Sequence, residues 1–146
     1  MRLRGGKGPA PARCRRRGRA VNAWLAVALG SALGGVARSG IARLWPWVPG
    51  GWPMATMTVN VLGSFALGLL SVVVAGRAGG AETARLFWMT GVLGGFTTYS
   101  AFALETVTLA GAGEAMRAAA YVVATVLVCL VAAFAGRALG MLIAGD

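Results

Sequence analysis

The chain has 146 residues, 58% of them hydrophobic and 12% charged, against about 25% charged residues in ordinary soluble domains. A water-soluble fold with so few charges would leave much of its surface apolar, so the composition excludes one. Four spans of ~20 residues use up the length and leave no room for a soluble catalytic domain.

The net charge of +10 suggests nucleic acid until it is divided along the chain. Eight of the 14 basic residues, Arg2, Arg4, Lys7, Arg13, Arg15, Arg16, Arg17 and Arg19, lie in a Gly/Pro/Arg tail without aromatics or a groove-reading motif. Residues 1–20 therefore read as a disordered tail drawn to anionic lipid headgroups, with no nucleic-acid partner. Residues 21–146 form one membrane domain. The apolar run from Val21 lacks a cleavage site and is too long for a signal peptide, so it reads as a span; Val21 also offers an alternative start.

Span one covers 22–44. Its small residues Ala28, Ala32, Gly35 and Ser39 recur every three or four positions, which predicts a face for close helix contact. Arg38 and Arg43 lie toward its far end, and Arg38 is expected to snorkel or to cap a helix C-terminus. Trp45, Trp47 and Trp52 in the following loop belong at a membrane–water interface. Span two covers 54–75, and Arg77-Ala-Gly-Gly forms a turn. Span three covers 86–110 and is interrupted at Gly94-Gly95-Phe96-Thr97-Thr98. After Gly111–Arg117, span four covers 118–143. The fold expected is all-α and integral to the cell membrane, with no sheet.

An even number of spans puts both termini on one side, and the tail makes that side cytoplasmic. Without the tail, Arg77, Arg85 and Arg137 face Arg38, Arg43 and Arg117 across the bilayer. That balance permits insertion both ways up and antiparallel pairing.

Polar groups inside spans are costly unless paired, so each is a functional candidate. Thr56, Asn60 and Ser64 follow i, i+4, i+8 and share a helix face. The Asn60 amide has two donors for an anion, or equally serves as interhelical glue. In span three, paired glycines followed by two threonines are poor for an unbroken helix. Backbone satisfaction favours a break whose freed carbonyls suit Na⁺ over a close-packing glycine seam. Tyr99 and Phe102 lie one turn apart, and ring edges attract anions weakly, although ordinary packing explains such a pair too. Tyr121, Thr125 and Cys129 form a weakly polar stripe, unless the Thr125 hydroxyl bonds back to its own helix. Glu105 is the one carboxylate near a span interior. It is expected near the interface, or else acts as a proton carrier. There is no histidine and no transition-metal ligand set; Cys14 and Cys129 do not pair. No nucleophile–base pair is apparent, so an enzyme is not expected.

Three segments, in order, resemble the fluoride ion channel family (Fluc, or CrcB). They are Gly34-Gly35-Val36-Ala37-Arg38, Thr56-Met57-Thr58-Val59-Asn60-Val61-Leu62-Gly63-Ser64-Phe65, and Gly91 to Phe102 with Glu105 following. The resemblance covers Ala26 to about Gly140. It implies an antiparallel, dual-topology homodimer with two fluoride pores. It implies Asn60 as a pore-lining amide, Tyr99 and Phe102 as the paired pore aromatics, and Tyr121, Thr125 and Thr56 on a polar track. The carbonyls of Gly94 and Thr97 would hold a central Na⁺ on the dimer axis. Tyr99 stands where the family usually has Phe, and Cys129 where it commonly has a small hydroxyl residue. The long basic tail also departs from the pattern. The competing classes are a proton-coupled exporter of small cations using Glu105, and a non-transporting helical partner held by small-residue faces.

Overall fold

A computed structural model of the chain describes residues 12–74 and 81–145. The described residues are helical, without a strand among them. Helix α1 (Ala12–Leu44) runs back through residues 12–20, which composition assigns to the tail, so that part is helical. Residues 1–11 and the turn at Arg77 lie outside the described residues. Helix α2 (Met54–Val73) starts after the fully buried Pro53, a residue suited to a helix start because it has no N–H to leave unpaired.

The third span is a composite. Ala81–Arg85, a π-helical stretch Leu86–Leu93, and Gly94–Phe96 follow without interruption and are together termed α3. Thr97 and Thr98 then run extended, at φ −75°, ψ 156° and φ −148°, ψ 110°. Helix α4 (Tyr99–Gly111) resumes the span, and α5 (Ala115–Ala144) completes the fold. Gly145, at φ 80°, ends α5 in the left-handed conformation that glycine adopts without a Cβ penalty. Three helical segments are long and apolar enough to cross a membrane alone: Asn22–Leu44, Met54–Val73 and Ala115–Ala144, with mean hydropathies of 1.4, 1.7 and 2.5. The third crossing is made by α3 and α4 in series.

Two glycine seams fix the packing. α1 lies on α3 and α2 on α5. A Cβ on Gly30 would strike the Phe87 carbonyl, and one on Gly34 the Val92 carbonyl. On the other pair, a Cβ on Gly68 would strike the Ala133 carbonyl, and one on Gly136 the Phe65 carbonyl. Backbones this close gain dispersion contacts that larger side chains would prevent, and such contacts drive helix association where no water is displaced. The inner face of α1 is thus Gly30–Gly34. Ala28, Ala32 and Ser39, expected at a close contact, are exposed in the single chain, and Gly35 has nothing within 4 Å of a would-be Cβ.

The span is broken rather than a continuous helix, yet its glycines still form a close-packing seam. Gly91 packs on the Gly30 Cα and Gly95 on the Ser31 backbone, while both stay helical. The interruption falls one step later, at Thr97-Thr98. Small residues bring the chains together, and the threonines break the helix.

Candidate functional site

Breaking a helix in mid-membrane strands backbone groups that no water can satisfy. Side chains meet part of that demand here. Asn60, on α2, accepts the Thr98 N–H through Oδ1 at 2.7 Å and donates from Nδ2 to the Thr98 carbonyl at 3.0 Å. Thr98 also caps α4: its Oγ1 accepts the Ala101 N–H at 3.2 Å, as expected of a threonine at the N-cap. Arg38, on α1, donates from Nε to the Gly95 carbonyl at 3.2 Å. It therefore caps the C-terminal end of α3, the second of the two roles expected of it.

Beside the break lies a cavity of about 330 Å³, lined by Asn60, Gly63, Ser64, Leu67, Met89, Leu93, Gly94, Thr97, Tyr99, Phe102, Thr125, Val126 and Cys129. It gathers four of the six pore candidates, Asn60, Tyr99, Phe102 and Thr125, with both cation candidates, Gly94 and Thr97. It is partly open. Tyr99 is 80% exposed, whereas Phe102 is buried.

Thr56 and Tyr121 do not line this cavity. Both are buried, and both donate to one carboxylate: Thr56 Oγ1 to Glu105 Oε1 at 2.6 Å, and Tyr121 OH to Glu105 Oε2 at 2.8 Å. Glu105 lies six residues before the end of α4, held between Thr56 of α2 and Tyr121 of α5. An isolated carboxylate in a span is costly, and two hydroxyl donors offset part of that cost.

Aromatic rings join the two regions. Tyr99 and Phe102 have centroids 5.5 Å apart, Phe102 and Tyr121 5.2 Å, and Tyr121 and Trp52 5.9 Å with planes at 82°. The loop over the far end is tied down by Trp47 Nε1 donating to the Gly51 carbonyl at 2.9 Å, and by Arg117 donating to the Gly50 carbonyl. The Thr125 hydroxyl is buried and has no hydrogen-bond partner, so it does not bond back to its own helix. A buried hydroxyl left unpaired costs free energy. No group of three or more His, Cys, Asp or Glu that could hold a metal occurs among the described residues.

Sequence reasoning missed three parts of this arrangement. The Thr98 cap had a signal, a threonine directly before a helix. Glu105 had one too, since a lone membrane carboxylate needs donors within reach. The edge-to-face contact of Trp52 with Tyr121 had none, because a loop residue's tertiary neighbour leaves no periodicity.

A family model described as CrcB-like protein, Camphor Resistance (CrcB), matches residues 25–137. The chain is 46% identical over 117 residues to the fluoride-specific ion channel FluC of Paracoccus denitrificans, covering 80% of this chain and 93% of that one. It is 47% identical over 118 residues to the protein of the same description from Hyphomonas neptunium, at 80% and 93% coverage. The corresponding protein of Rhodospirillum centenum is 49% identical over 117 residues, at 79% and 92%. A broken third span clamped by Asn60, within a match that runs through all four crossings, leaves one conclusion: this chain belongs to the CrcB family.

Proposed function

We propose that the protein is a passive fluoride channel of the cell membrane, exporting F⁻ from the cytoplasm as an antiparallel, dual-topology homodimer. The observation that carries this reading is the cavity beside the break. An amide, an unpartnered hydroxyl and two aromatic rings converge there without a basic side chain. The relatives described as fluoride-specific channels, similar over four-fifths of the chain, support the same ion.

Fluoride is small and strongly hydrated, so a pore must replace its water with donors and must do so weakly enough to release it. Asn60 spends one Nδ2 hydrogen on Thr98 and keeps the other. Thr125 keeps its hydroxyl proton, and the Phe102 ring offers a positive edge. Tyr121 and Thr56 each have one hydroxyl proton, and both are directed at Glu105. They hold the carboxylate and the end of the cavity in shape. The function is transport, not catalysis. Weak-acid HF enters from an acidic medium and ionises in the less acidic cytoplasm, and the channel lets the anion leave.

The homodimer reading rests on the partial openness of the cavity and on the exposure of Tyr99 and Gly94, which a second copy would cover. Near-equal charge on the two faces of the membrane domain supports insertion in both orientations. Na⁺ is the cation that fits the break. The Thr98 N–H, which would serve the Gly94 carbonyl in a continuous helix, goes to Asn60, and the Ala101 N–H, which would serve Thr97, goes to Thr98 Oγ1. The carbonyls of Gly94 and Thr97 are thereby free as hard oxygen ligands suited to Na⁺. A bound Na⁺ would supply fixed positive potential near the anion path.

Expression in a bacterium made fluoride-sensitive tests the reading in cells. Growth in acidified fluoride medium is expected with the wild type and not with Phe102→Ile. Failure of a well-expressed wild type to restore growth contradicts it.

A further inference from the structure

We infer that Arg38 is a positioning residue for the central cation, selecting which carbonyls of the broken span the cation receives; this rests on the Na⁺ reading above. Arg38 continues the inner face of α1, since Gly30, Gly34 and Arg38 follow i, i+4, i+8. The first two positions are closed by contact with the α3 backbone. The third carries a guanidinium, half-buried within a membrane span, where charges are rare and need partners. Its partner is the Gly95 carbonyl, 3.2 Å from Nε. That carbonyl lies in the last turn of α3, the negative end of the helix dipole, where a cation is favoured.

The break removes helical donors from neighbouring carbonyls, yet the side chains do not treat them alike. Arg38 takes Gly95. Asn60 holds the Thr98 N–H, and because a peptide unit is planar and trans, fixing that N–H aims the Thr97 carbonyl away from Asn60. Gly94 and Gly95 are both helical, so their carbonyls are rotated by about 100° around the axis. Holding Gly95 toward α1 therefore turns Gly94 away from α1, and Gly94 is the exposed one of the two. Arg38 and Asn60 thus fix the two offered carbonyls from opposite sides of the break. Without Arg38, the Gly95 carbonyl is unsatisfied, its peptide unit is free to turn, and the Gly94 direction goes with it.

Thermal unfolding of the purified protein, compared in Na⁺ and in N-methylglucamine over a Na⁺ titration, tests this. Ligand binding to the folded state raises Tm with concentration, so the wild type is expected to show a Na⁺-dependent increment. Arg38→Gln should raise the Na⁺ needed for half of that increment by about tenfold or more, the scale of lost support behind a metal ligand. Arg38→Lys keeps the charge and can still donate but lacks the rigid fork, and should raise it by less than Arg38→Gln does. A purely structural arginine would lower Tm equally in both media and leave the titration midpoint unchanged. An unchanged midpoint in Arg38→Gln overturns the inference. Should that variant not fold, an unchanged midpoint in Arg38→Lys does so. A wild type without any Na⁺ increment instead overturns the Na⁺ reading itself.

Discussion

Asn60 holds Thr98 by both of its backbone groups: the amide oxygen accepts the N–H at 2.7 Å, and the amide nitrogen donates to the carbonyl at 3.0 Å. A residue forced out of helical geometry inside a membrane has its lost partners returned by one side chain from another span. The cost of the break is thereby moved from α3 and α4 onto α2.

Asn60→Ala is expected to destabilise the fold and to abolish fluoride transport. It strands a buried N–H and C=O, at about 1–3 kcal/mol for each unsatisfied group, and also removes a donor from the cavity. Thermal unfolding and fluoride efflux read the two effects. Asn60→Asp keeps an acceptor for the Thr98 N–H but loses the donor and puts a carboxylate in the span, so it should recover none of the transport.

Thr125→Val should separate stability from transport in the other direction. The Thr125 hydroxyl has no partner, so removing it leaves Tm unchanged or higher, whereas fluoride efflux should fall at least about tenfold if one donor to the ion is worth ~1.4 kcal/mol. A loss of stability with efflux intact would assign the hydroxyl a structural role.

Glu105→Gln tests the competing class. A proton-coupled exporter whose one carrier is Glu105 stops working in this variant. In a channel, the glutamine oxygen still accepts one hydroxyl and its amide can donate to the other, so efflux should persist within about tenfold. Loss of efflux from a well-folded Glu105→Gln protein would revive the exporter reading.

Gly34→Ala should cost about 1–3 kcal/mol, because its Cβ would overlap the Val92 backbone at the α1–α3 seam and neither helix can yield without moving the break. Gly35→Ala, next in sequence with nothing within 4 Å of the new Cβ, should unfold close to the wild type. Equal losses at the two positions would refute the seam.

The four crossings were legible because bilayer thickness imposes length and hydropathy on each. The interruption of the third was legible because Gly94-Gly95-Phe96-Thr97-Thr98 combines poor helix formers where no water can help. The division of labour inside that motif was not. Nothing in the spacing distinguishes Gly95, which lets α1 approach, from Thr97 and Thr98, where the backbone extends. The inner face of α1 was not legible for a related reason: Ala28, Ala32, Gly35 and Ser39 form as good a small-residue stripe as Gly30 and Gly34, and periodicity does not say which stripe meets a helix of the same chain. Of the site residues carried by the family pattern, Asn60, Gly94, Thr97, Tyr99, Phe102 and Thr125 came together at the cavity, whereas Thr56 and Tyr121 did not. The bonds from Thr56 and Tyr121 to Glu105 join three different helices, and such a triangle is invisible until the helices are packed.

Fluoride efflux from liposomes reconstituted with the wild-type protein, followed with a fluoride electrode beside matched chloride runs, tests the central claim most directly. Rapid fluoride efflux without chloride efflux, lost in Phe102→Ile, is the predicted result. Silence from well-folded protein, or equal loss of both halides, would contradict a fluoride-selective pore built on this cavity.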